Sequence, residues 1–179
     1  MKRKREKKVK ERKHPKHFVW MLIFCALLYF FDALFVGLPF LGILFCVVLM
    51  IANFWAFLRH RKTDPSSVAR YGIRSLALCL TVLAILGTFM FNRHMGYVNA
   101  RLIIKAVEDY RAAYGEYPER IEDLVPQFLP KVPRSAFRVT FTEYLYLRHN
   151  DHHSLMWVEA PPFGKPEYHF ETKKWSYLD

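Results

Sequence analysis

Metal-capable side chains cluster at one place in this sequence, at His149, Asp151, His152 and His153, within the polar segment RHNDHH. Neutral imidazoles beside a carboxylate are a zinc ligand set. Adjacent residues of a strand point to opposite faces, however, and a hairpin tip is exposed, so a solvated turn without metal is the expectation here. The other chemically notable group is Asp32, the only acid inside a long apolar stretch. A carboxylate at membrane depth is by default a proton or ion site, and Asn53 is the polar side chain in the following apolar run that offers it a partner. Asp32 stands about one turn from the end of its run, so a hydrated or hydrogen-bonded structural role is the simpler expectation. There is no Ser/His/Asp order, nucleophile elbow, paired catalytic carboxylates or phosphate-cradling loop among the seven glycines. The sequence thus predicts no catalytic residue, no cofactor and a non-enzymatic protein.

Three apolar runs hold Asp32 and Asn53. Residues 18–36, 40–58 and 73–91 are each 19 residues long, and a helix of that length covers about 30 Å, the hydrocarbon thickness of a bilayer. Arg74 is near enough to the end of the third run to snorkel. Three transmembrane helices are therefore expected, the first two in a tight antiparallel hairpin around 37–39. A cleaved signal peptide is the rival reading of the first run, but that run is long, lacks an A-x-A-like exit and is followed at once by a second. Cys25, Cys46 and Cys79 fall one in each run, match no zinc or redox spacing, and read as small hydrophobes.

Charge sets direction. The net charge of +11 lies in residues 1–74, with 15 Lys/Arg and four acids, whereas residues 75–179 hold 12 of each. A formally neutral C-terminal region argues against a nucleic-acid partner. Ten basic residues precede residue 18, and Arg59, Arg61, Lys62, Arg70 and Arg74 lie between the second and third runs. The positive-inside rule then puts the tail, residues 1–17, in the cytoplasm, where it also meets anionic lipid, and the region 92–179 on the far side of a bacterial inner membrane, in the periplasm.

Within 92–179, after a polar break at Asn92, Arg93 and His94, apolar residues recur at Val98, Leu102, Ile103, Ala106, Val107, Tyr110 and Tyr114. This is the stripe of an amphipathic helix, with Arg101, Lys105, Glu108, Asp109 and Arg111 on its solvated face and Gly115 as its stop. The third span runs almost directly into it, so one long rod is expected. A short helical turn at 119–125 and an extended proline-rich path follow. Strand-like stretches at 142–147, 154–159, 167–171 and 174–177 predict a small antiparallel sheet. The fold class is thus a three-helix membrane region followed by an α+β domain. Its expected core is Val107, Tyr110, Leu145, Leu147, Met156, Val158 and Trp175. The loop Pro161, Pro162, Phe163 and Gly164 is the exposed candidate for contact with a partner.

The sequence Tyr110-x-x-x-Tyr114-Gly115-x-Tyr117-Pro118, followed by Leu124-Val125-Pro126 and a sheet ending in a Trp, resembles the type IV pilin and type II secretion pseudopilin family, the major pseudopilin in particular. The resemblance spans about 73–179. It implies a pilin-like domain and a place in a pilus or secretion apparatus. Aligning Gly72 with the family's processing-site glycine puts Ala77 where the assembly Glu belongs, and Arg134, Ser135, Ala136 and Phe137 replace the segment leading to the family's calcium loop, so neither processing nor calcium binding is carried over. The functional expectation is an inner-membrane protein presenting this domain to an envelope protein. The alternative is a small membrane transport or sensing subunit using Asp32.

Overall fold

The computed structural model describes residues 16–32, 39–62, 66–149, 152–161 and 164–178. Three helices lead the chain: α1 (Lys16–Tyr29), α2 (Pro39–His60) and α3 (Ser66–Tyr114). Two of them, α2 and α3, are long and apolar enough to cross a membrane. The helical path of α1 continues through a wider turn at 30–32, and its apolar part, Val19–Asp32, is shorter. The remainder of the expected first span, 33–36, lies outside the described residues, as does the tail up to residue 15.

The 49 residues of α3 change character midway. Leu76, Leu80, Leu83 and Met90 are exposed around its apolar half, while Leu78 and Ile85 turn toward α1 and α2. Beyond Phe91 the helix becomes one-sided, burying Ala100, Ile103, Ala106 and Val107 at helical spacing and leaving Arg101, Lys105 and Asp109 in solvent. The expected polar break at 92–94 is continuous helix. The rod ends at Gly115, whose N–H reaches Arg111 O at 2.8 Å.

A 3-10 turn at Ile121–Leu124 seals one end of the domain core. The sheet is a meander, β1 (Tyr144–His149), β2 (His152–Trp157), β3 (Lys165–His169) and β4 (Lys174–Leu178), antiparallel throughout. Tyr144 faces Trp157, Leu155 faces Tyr168, and Tyr168 faces Trp175 across the strands. Tyr144, Leu155 and Trp157, with Phe170, close on α3. The indole of Trp157 rests on Gly96 so closely that a Cβ there would meet Nε1 at 2.8 Å. Gly96 is what lets sheet and rod touch.

The expected core is right on α3 and wrong in the sheet. Val107 is fully buried, Tyr110, Met156 and Val158 are half-buried, and Leu145, Leu147 and Trp175 are exposed. In β1 the tyrosines point inward and the leucines outward, because strand side chains alternate and the register admits one set only. Tyr144 wins the inner position because its hydroxyl has a partner there, the carbonyl of Gly96.

Candidate functional site

Asp32 is 5% exposed. Its carboxylate accepts a hydrogen bond from the backbone N–H of Gly42, the fourth residue of α2. Asp32 thus ties the end of α1 to the N-terminal part of α2, on the side favoured by the helix dipole. Its Oδ2 has no hydrogen-bond partner among the described residues. A Cβ on Gly42 would overlap that carboxylate and meet Ile85 Cδ1 at 3.0 Å, so the glycine permits the three-helix contact.

Asn53 is not the partner of Asp32. It lies 11 residues beyond Gly42 on α2, about 16 Å along the axis, and donates to Tyr71 O at 2.9 Å and Ser75 Oγ at 2.7 Å on α3. Tyr29 Oη and Thr88 Oγ1, 2.9 Å apart, tie α1 to α3. Cys25 and Cys46 pack with Leu78 as small apolar residues, and Cys79 is exposed.

The histidine cluster separates. His149 and His152 oppose each other at the turn end of the β1–β2 hairpin and both are exposed. His153 turns inward, where its backbone N–H and ring Nδ1 both meet Glu171 Oε1, at 2.9 and 2.8 Å, and the ring lies 4.6 Å from that of Tyr117. Burial works against the charge on Glu171, but the hydrogen bonds from His153 outweigh it and hold the carboxyl below its ordinary range. Asp151 lies outside the described residues, among which no three metal-capable side chains converge. In the loop offered for partner contact, Pro161 and Gly164 are buried, Gly164 O accepting from Glu159 N at 2.9 Å, while Pro162 and Phe163 lie outside the described residues.

The outer sheet face brings together Ser176, His169 and Glu167, a set invisible in sequence because β3 and β4 must pair first. His169 Nε2 lies 2.9 Å from Ser176 Oγ and 3.6 Å from Glu167 Oε2. Hydroxyl and carboxylate crowd the same ring nitrogen. A nucleophilic triad needs them on opposite nitrogens, so that the acid orients the base, and this array is a surface network instead.

A second missed feature is Arg138, buried in the loop before β1. Its guanidinium donates to Thr140 O and Phe141 O, both at 2.9 Å, to Glu159 O at 3.1 Å, and to Val158 O. Burial lowers its basicity and the nearby Glu159 opposes that effect. The Glu159 carboxylate is itself held by Arg93 Nε at 2.6 Å, from α3. An Arg inside a polar loop carries no sequence signal for such a knot.

These groups define a class of architecture: an α+β domain, one long helix under a four-stranded antiparallel meander, continued into an apolar helical bundle. Comparison with family models, with curated proteins and with solved structures gave no match.

Proposed function

We propose that this chain is a non-enzymatic, multi-pass inner-membrane protein, N-terminus in the cytoplasm, that presents a pilin-like domain in the periplasm to an envelope protein, such as a component of a pilus or type II secretion apparatus. The observation that carries this reading is the unbroken α3, 49 residues long, apolar all round in one half and forming the domain core in the other. The distribution of basic residues supports the orientation. Leu145 and Leu147, exposed side by side on the outer sheet face, support a protein partner there. Ala77, in place of an assembly Glu, fits a protein that stays in the membrane.

Crosslinking in intact cells followed by purification of the full chain is the test. A stoichiometric envelope protein is the expected result, and its loss on replacing Leu145 and Leu147 by Ser would place the contact; recovery of the chain alone overturns the reading. Orientation is checked by an impermeant thiol reagent, which labels Thr172→Cys in intact cells and Lys62→Cys only after the membrane is opened. A second reading, a transport or sensing subunit, is favoured by one observation, the unpartnered Oδ2 of buried Asp32. Asp32→Asn without any effect on ion or solute flux removes it.

A further inference from the structure

The loop 134–142 is built against the rod where its apolar half ends. Asn99 Nδ2 donates to Arg134 O at 2.8 Å, and seven residues nearer the apolar half the side-chain oxygen of Asn92 accepts from Phe137 N at 2.8 Å. The loop therefore descends along α3 by about 10 Å and reaches its lowest anchored point at Asn92, next to Phe91, the last residue of the apolar run. Along it, burial alternates. Ser135, Ala136, Arg138 and Thr142 are buried, whereas Phe137, Val139 and Phe141 are 74%, 64% and 55% exposed.

Three large apolar side chains exposed within five residues would be a liability on a domain surrounded by water. The loop cannot tuck them away. The Arg138 guanidinium clamps the carbonyls of Thr140 and Phe141 to those of Val158 and Glu159, and Ser135 N holds Thr142 O at 2.8 Å. Exposed Arg93 and His94 on the rod supply positive or polar groups at the level of Asn92. Aromatic side chains beside cationic ones, at the end of an apolar helix, are what the headgroup layer of a bilayer accommodates.

We propose that the loop 135–141 is an interfacial wedge. Phe137, Val139 and Phe141 enter the headgroup and upper acyl region of the same bilayer that α3 crosses, so that the domain is seated on its membrane instead of standing clear of it. This rests on the reading that α3 spans a bilayer, and the occupant is phospholipid; continuity with the apolar half of α3, through the Asn92 bond, is what selects lipid over a protein partner.

The test uses the full chain, its three native cysteines replaced by alanine, in vesicles of phosphatidylcholine and phosphatidylglycerol. An environment-sensitive fluorophore is attached at Leu83→Cys, Val139→Cys or Thr172→Cys. A lipid bearing a nitroxide near its headgroup is expected to quench the probe at 139 about threefold more than that at 172, with iodide in the aqueous phase giving the reverse order. Quenching at 83 by a second lipid with its nitroxide deep on the acyl chain, without quenching at 139 by either lipid, overturns the wedge and leaves the spanning helix standing. No quenching at either position by either lipid overturns both. Protection of 139 from lipid and iodide alike means that a second copy covers the loop, which also overturns the proposal. A second measurement keeps all three native cysteines: benzoylphenylalanine in place of Phe137, illuminated in the same vesicles, gives phospholipid adducts by mass spectrometry if the wedge is correct, and adducts to protein or none if it is not.

Discussion

The bundle and the domain hold themselves together by different means. Where α1, α2 and α3 meet, small residues and single hydrogen bonds recur, Cys25 and Cys46, Gly42 against Asp32, Tyr29 with Thr88 and Asn53 with Ser75, beside isolated aromatic pairs such as Phe24 with Phe45 and Phe57 with Tyr71. In the domain, aromatic rings meet edge to face: Tyr97 with Trp157, Trp157 with Trp175, and Tyr168 with Phe170, at centroid distances of 5.1, 5.7 and 5.3 Å. In water, burying large apolar rings is itself the driving force. In lipid, an apolar side chain gains nothing by leaving its surroundings, so close approach and polar bonds are what remain. The small residues and hydrogen bonds between α1, α2 and α3 fit the place in lipid proposed for the bundle.

Trp157→Ala sets the upper end of this contrast. It removes the ring on which Tyr97, Tyr144 and Trp175 all pack, and such truncations cost about 3–5 kcal/mol, a large share of a small domain's stability. Urea unfolding of the full chain in detergent, followed by near-ultraviolet circular dichroism, is expected to show the domain transition moved sharply down while most helical signal persists. A loss of under about 1 kcal/mol would mean that the aromatic cluster is ornamental.

Gly42→Leu sharpens the other side. The new side chain meets the Asp32 carboxylate and Ile85, and overpacking of this kind costs about 1–3 kcal/mol. Its signature is local. Cys46, fully buried, becomes reactive to a thiol reagent at a lower temperature, while the urea midpoint of the domain stays where it was.

The smallest effect is electrostatic. The carboxyl of Glu171 is held below its ordinary value of 4.5 by His153 against the opposing effect of burial. A depressed acid stabilises the fold above the unfolded value and loses that contribution as pH falls through the folded one. The domain's midpoint is thus expected to decline as pH drops below about 4.5, and Glu171→Gln to flatten that part of the profile. An identical slope in both proteins would show the pair to be inert.

Much of the helical architecture was legible in sequence. A change from all-round to one-sided apolar pattern along 73–114, followed by Gly115, locates the rod and its stop, because periodicity and a glycine stop are local properties. The four strands were legible in position but not in phase. Leu145 and Leu147 are more apolar than Tyr144 and Tyr146, and the partner awaiting the Tyr144 hydroxyl at Gly96 is a tertiary contact that no strand pattern shows. The partner of Asp32 was missed for a related reason. A polar side chain such as Asn53 advertises itself, whereas a backbone N–H is the same at every residue and leaves no mark in the sequence. The Arg138 knot and the Ser176–His169 contact depend on chain pairings that form only in three dimensions.

The unbroken rod has a mechanical consequence. At 49 residues, α3 is about 74 Å long, and the sheet is bolted to its far third through Gly96, Ala100 and Ile103. A stiff lever pivoting within a layer turns small changes at its fulcrum into large travel at its tip. A tilt of about 10°, well within what bilayer thickness imposes on a spanning helix, swings the end of α3 sideways by about 6 Å over the 23 residues beyond Phe91.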